Sequence, residues 1–115
     1  PPRSTLFPYT TLFRSQEEIF GPVVTLIPFN DEEDAIQIAN ESDYGLSATI
    51  WTEDKERATR VSNQVEAGVI WVNCWLVRDL RTPFGGMKQS GMGREGGSEA
   101  LRFFTEQKNV CTSIA

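Results

Sequence analysis

Apolar and polar positions change period several times along the chain. The run VVTLIPF, Val23 to Phe29, is β-rich and mostly apolar, which predicts a strand. NDEEDAIQIANESDYG then opens on Asn30 as a candidate N-cap with Glu33 three residues later, which predicts a helix. Ala35, Ile38 and Ala39 share one face of it, acids crowd its first turn, where the helix dipole favours them, and Gly45 is its expected stop. LSATIW, Leu46 to Trp51, reads as a second strand. TEDKERATRVSNQVEAG reads as a second helix, with Ala58, Val61 and Val65 on one face and Gly68 as its stop. VIWVN, Val69 to Asn73, is a third strand. A glycine-rich loop runs from Cys74 to Gly97, followed by a short helix near Ser98 to Phe104 and a last β-like run, KNVCTSI. Strands alternating with helices predict an α/β layer with a largely parallel sheet, because parallel neighbours need a crossover of this length.

Composition narrows the function classes. With 115 residues, 39% hydrophobic and 23% charged, the chain has globular composition and room for one small domain. It has no apolar run long enough to span a bilayer and no charged-then-apolar leader, so the expectation is a cytoplasmic protein without a membrane partner. Cys74 and Cys111 lack C-x-x-C spacing and there is no histidine, which excludes a zinc site or a histidine-based triad. A net charge of −5 argues against general nucleic-acid binding.

Residues 1–15, PPRSTLFPYTTLFRS, differ in kind from the rest. They have no initiating Met and no acid, and they repeat Thr-Leu-Phe at Thr5 and Thr11. TLFPYTTLFRS resembles the translation of a sequencing-adapter oligonucleotide, so residues 1–15 are expected to be an adapter scar and 16–115 an authentic fragment. A genuine N-terminal strand with a Pro-Tyr turn is the alternative. Removing Arg3 and Arg14 from the 11 basic residues leaves nine against 16 acidic ones, a charge of −7.

Gly91-Met92-Gly93-Arg94-Glu95-Gly96 fits the G-x-G-x-x-G spacing of a dinucleotide-binding turn. That turn works only when a buried strand runs into the glycines and a helix leaves them. The preceding TPFGGMKQS holds Pro83 and two glycines, and the nearest predicted strand ends eighteen residues earlier, at Asn73. The glycines are therefore expected to let a loop turn tightly and lie against other backbone.

Three stretches carry a family resemblance: EEIFGPV at Glu17 to Val23, YGLSATIWT at Tyr44 to Thr52, and GVIWVNCW running on to TPFGGMKQSGMGREGG. In this order and spacing they resemble the C-terminal end of the NAD(P)-dependent aldehyde dehydrogenase superfamily, over Gln16 to Ala115. The resemblance implies an α/β catalytic-domain segment with a mostly parallel sheet. It also implies a terminal strand at about 107–113 that joins an oligomerisation sheet, hence a homo-oligomer for the full-length protein. The implied substrate is a small-molecule aldehyde and the implied cofactor NAD, with NADP possible. In such enzymes a cysteine thiolate attacks the carbonyl, hydride leaves to the nicotinamide, and a glutamate-activated water cleaves the thioester. Nucleophile, base and most cofactor contacts lie upstream in the family. No catalytic residue is therefore assigned here, the fragment is expected to be inactive alone, and Cys74 and Cys111 are expected to be buried structural thiols.

The resemblance also implies binding residues. Glu18 matches the position that hydrogen-bonds the ribose hydroxyls beside the nicotinamide, and Phe20 the aromatic packed near that ring. Taken without the family, they are a solvated acid and a core aromatic. In the loop CWLVRDLRTPF, Phe84 matches an aromatic of the aldehyde tunnel. Arg78, six residues earlier, stands where several relatives place another aromatic, and its paired donors suit a substrate carboxylate. RDLRTPFGG is similar to the branch that oxidises 2-hydroxymuconate or 2-aminomuconate semialdehyde, in aromatic-ring degradation. The plainer alternative pairs Arg78 with Asp79 or another loop carboxylate. Arg81 is a secondary candidate that Asp79 would neutralise. The rival to an enzyme fragment is a stand-alone acidic α/β interaction or regulatory module.

Overall fold

Asp31, one residue later than expected, caps the first helix. Its carboxylate accepts from the Asp34 N–H at 2.9 Å, and Asp34 Oδ2 reaches back to the Asn30 N–H at 2.9 Å and to its side-chain amide at 2.8 Å. Two carboxylates thus satisfy backbone donors that the first turn leaves free. The computed structural model describes residues 16–114. In chain order it holds α1 (Glu32–Asn40), β1 (Tyr44–Gly45), β2 (Ser47–Ile50), α2 (Lys55–Gln64), β3 (Val69–Val72), β4 (Met87–Lys88) and α3 (Gly97–Phe104). Residues 1–15, read above as a scar, lie outside the described residues.

The predicted strand–helix–strand from Leu46 to Asn73 is present. Strands β2 and β3 pair in parallel, Ser47 opposite Val69 through to Ile50 opposite Val72, with α2 as the crossover. Asp54 starts α2 by accepting from the Glu56 and Arg57 N–H groups at 2.9 and 3.0 Å. The helix ends where Val65 turns extended (φ −76°, ψ 125°), three residues before the expected stop at Gly68. Gly68 serves a contact instead. A Cβ there would overlap the Gly85 carbonyl oxygen, so this glycine lets the loop backbone lie on the start of β3. Gly45 likewise does not stop α1, whose C-cap is Glu41; it sits in β1 with no room for a Cβ beside the Glu66 carbonyl.

The sheet is smaller and more mixed than expected. Beside the parallel pair stands a second two-stranded piece, β1 antiparallel to β4, with Tyr44 opposite Lys88 and Gly45 opposite Met87. A two-residue strand inside a glycine-rich loop has no periodicity to betray it.

Two predicted strands are not formed. Val23 to Phe29 pairs with no strand among the described residues, and Leu26 is 87% exposed. The run expected at 107–113 is also without strand structure, and Val110 and Ile114 are exposed. Both have strand-like composition, but strand preference is realised only against a neighbouring strand, and among the described residues neither run has one. Pro28 further removes a ladder donor from the first.

The helices are joined at both ends. Glu32 accepts from Arg57 Nε at 3.2 Å and from Arg60 Nε at 3.0 Å, which bridges α1 to α2. At the other end the Asn40 side chain donates to the Gln64 carbonyl and accepts from the Glu66 N–H, each at 2.8 Å. No basic residue lies in the last turn of α1; Lys88 of β4 supplies the charge instead. Its Nζ donates to the Asn40 and Ser42 carbonyls at 2.7 and 2.9 Å and pairs with Glu66 at 2.8 Å. Among the described residues the buried apolar side chains are Ala67 and Trp71.

The helix starts carry a pH dependence. Arg60 holds the Glu32 carboxyl below its usual range, and the Arg57 backbone N–H does the same for Asp54. A depressed carboxyl adds stability above its unfolded pKa and loses it as pH falls through the folded value. Helix content followed by circular dichroism should therefore drop on acidification below about pH 4. Asp54→Asn, which caps without titrating, should flatten part of that drop; superimposable acid profiles would contradict the assignment.

Candidate functional site

The loop from Cys74 to Gly97 is held at its entry by two side chains. Asn73 accepts from the Thr52 N–H at 2.9 Å and donates to the Thr52 carbonyl at 2.8 Å, which ties the end of β3 to the end of β2. The Trp71 indole N–H donates to the Val77 carbonyl at 2.7 Å, so the most buried aromatic anchors the segment next to Arg78.

Arg81 folds back on Asp79 through both carboxylate oxygens at 2.5 to 3.1 Å, and each group holds the other charged: Asp79 is shifted down and Arg81 up. Arg78 does not pair with its neighbour. Its guanidinium lies 4.1 Å from the centroid of the Phe84 ring, and its Nη2 donates to Glu95 Oε1 at 2.5 Å. Glu95 is in turn fixed against Phe84 by two reciprocal backbone hydrogen bonds of 2.7 Å. The structure thus brings Arg78 and Phe84 together and adds Glu95. Arg78 and Glu95 are seventeen residues apart, and no short-range pattern links them.

The glycine motif is a packing device. Gly93 (φ 72°) leaves space that the Phe103 ring fills, and Gly96 (φ 85°) and Gly97 (φ 54°) press against the Thr82 and Arg81 carbonyls. Helix α3 does leave these glycines, but the Gly97 N–H already donates to the Leu80 carbonyl at 3.2 Å. The strand ahead of them, β4, is short, exposed and antiparallel, unlike the buried parallel strand a phosphate turn needs.

Glu18 and Phe20 lie apart from this cluster. Glu18 borders an open cleft of about 500 Å³ with Gln16, Ser42, Tyr44, Ser47 and Gln89, and no residue of the Arg78 cluster lines it. Phe20 is 98% exposed, which removes the reading of a core aromatic in this chain. Cys74 is half-buried, but Cys111 is exposed, contrary to expectation, because the whole segment 105–114 around it lies open to solvent. Among the described residues no group of three or more His, Cys, Asp or Glu is placed to hold a metal ion, and no helix is long and apolar enough to cross a membrane.

Residues 10–110 match the model of the aldehyde dehydrogenase family. The chain belongs to that family. It is 59% identical over 98 residues to the 2-hydroxymuconic semialdehyde dehydrogenase of Pseudomonas sp. (strain CF600), covering 85% of this chain and 20% of that relative. It is 59% identical over 95 residues to the 2-aminomuconic semialdehyde dehydrogenase of Danio rerio, covering 83% and 20%. Among solved structures, HpcC from Thermus thermophilus superimposes with a TM-score of 0.77 at 47% identity, over 86% of this chain and 21% of that one. An aldehyde dehydrogenase from Bacillus cereus in complex with NAD+ gives 0.76 at 48%, over 79% and 18%. The chain therefore spans about a fifth of the length of these relatives, and the α/β segment is a piece of the aldehyde dehydrogenase fold.

In this aldehyde dehydrogenase segment Gly93 sets the distance between the loop and α3. Gly93→Ala would force a side chain into a left-handed backbone and into the Phe103 ring. It should cost about 1 to 3 kcal/mol in urea unfolding of the full-length protein. An unchanged midpoint would mean that α3 docks without that contact.

Proposed function

We propose that the full-length protein oxidises an aldehyde carrying a carboxylate to the corresponding acid, with NAD or NADP as hydride acceptor. The observation that carries this reading is Arg78 lying over the Phe84 ring with a carboxylate already on its guanidinium. The loop accepts an anionic group beside an aromatic wall, which is what a semialdehyde with a distal carboxylate presents. The names of the muconic semialdehyde dehydrogenase relatives support the same substrate class. Arg81, whose Nε and Nη2 are both taken by Asp79, is the weaker candidate.

In this reading Arg78 fixes the acid end of the substrate and Phe84 flanks its carbon chain, so the aldehyde end is aimed away from the loop. Glu18, at the edge of an open cleft, accepts from vicinal ribose hydroxyls, and the free face of Phe20 packs beside the nicotinamide ring; both fit a dinucleotide. The cofactor, when bound, supplies the hydride acceptor. The thiolate nucleophile and the glutamate base come from the part of the protein outside this chain, so the 115 residues alone have no dehydrogenase activity. A homo-oligomer in the cytoplasm, free of membrane and nucleic acid, completes the reading.

Arg78→Ala in the full-length enzyme should weaken binding of adipate semialdehyde by roughly 1.5 to 3 kcal/mol, read from KM, and leave hexanal almost untouched. Equal losses on both substrates would sink the carboxylate reading. Glu18→Gln should raise the KM for the cofactor about tenfold with little change in the aldehyde KM. An unchanged cofactor KM would remove Glu18 from the site.

A further inference from the structure

Arg78 and Glu95 are a pair with room to separate. Their side chains are 39% and 58% exposed within this chain, so none of its own described residues closes over the pair. Among the described residues, Glu95 is the one acceptor on the Arg78 guanidinium, and it takes Nη2 alone. The ring of Phe84 covers one face of the guanidinium, and its remaining donors point to no other acceptor among those residues. Glu95 cannot drift far, because its backbone is bonded twice to that of Phe84. Only its side chain is free to swing.

We propose that Glu95 is a resident counter-ion which occupies Arg78 in the empty site and gives way to the substrate's carboxylate. It thereby sets how tightly acidic aldehydes bind. The inference rests on the reading of Arg78 as the carboxylate-binding residue and adds to it a competing group of this chain. Glu95 does two things at once. It holds the Arg78 guanidinium over the Phe84 ring, so that the guanidinium needs no ordering when substrate arrives. It also places a negative charge beside the position where the incoming carboxylate must sit, and that charge opposes binding. Exposed ion pairs are weak, so exchange of one carboxylate for another is nearly balanced and fast. Glu95 acts through Arg78 and is a positioning residue.

Glu95→Gln keeps the shape and an acceptor oxygen for Nη2 but removes the charge. In the full-length enzyme it should lower the KM for adipate semialdehyde about two- to fivefold, and by clearly more than it changes the KM for hexanal. In an Arg78→Ala background the same substitution should have no effect on either KM. A KM for adipate semialdehyde that stays level or rises in the single variant would overturn the inference. If Arg78→Ala itself fails to separate acidic from neutral aldehyde, both readings fall; if it separates them and Glu95→Gln does not help, only the role of Glu95 falls. A measurement on the unaltered enzyme guards against a variant that does not fold. In a crystal structure with adipate bound, Nη2 of Arg78 should lie beyond about 4 Å from Glu95 and face the adipate carboxylate. Adipate bound elsewhere with the pair intact would contradict the exchange.

Discussion

Gly68 and Gly85 meet backbone to backbone, with no space between them for a single methyl group. Everything that carries chemistry in the second half of the chain hangs from that approach. It lays the long loop onto the first residues of β3, whose register with β2 is fixed by four consecutive residue pairs. Trp71, within that strand, then reaches the Val77 carbonyl, and Arg78 follows directly. A side chain at Gly68 would push the loop off the strand pair. The position of Arg78 over Phe84 is thus inherited from close contact between residues that have no chemistry of their own.

The parts of the fold that rest on local signals were legible in the sequence. Both long helices and the β2–α2–β3 crossover follow from periodicity and from capping carboxylates within one turn of the residues they serve, and α3, which has no side-chain cap, from its apolar pattern alone. Boundaries moved where two capping residues compete, as with Asn30 and Asp31, or where a glycine is used for contact and not as a stop, as with Gly45 and Gly68. The strand-like runs at Val23 to Phe29 and at 107–113 pair with no strand among the described residues, for a different reason. A strand is a relation between two segments, and composition describes only one of them.

The candidate site divides the same way. The ion pair of Arg81 with Asp79, two residues apart, is readable from the sequence, and so is the pairing of Arg78 with some loop carboxylate. Which carboxylate is not. Glu95 reaches Arg78 through the Phe84–Glu95 backbone bridge, a tertiary contact that the surrounding glycines make possible and that no spacing rule announces. Charge in this loop is therefore sorted by geometry: one arginine is closed off by its neighbour, and the other is held by a residue from across the loop.

The Phe84–Glu95 bridge also has an entropic side. It closes a ring around Gly85 to Arg94, and the chain-length part of closing a ring of about ten residues costs on the order of 2 kcal/mol. That cost is met during folding, by two short backbone hydrogen bonds and by Arg94 donating to the Gly86 and Gly93 carbonyls inside the ring. A loop already cyclised in this way has little disorder left to surrender when a ligand arrives. Its affinity is then governed by the charges displayed on its rim and not by the floppiness that Gly85, Gly86, Gly91 and Gly93 would otherwise confer.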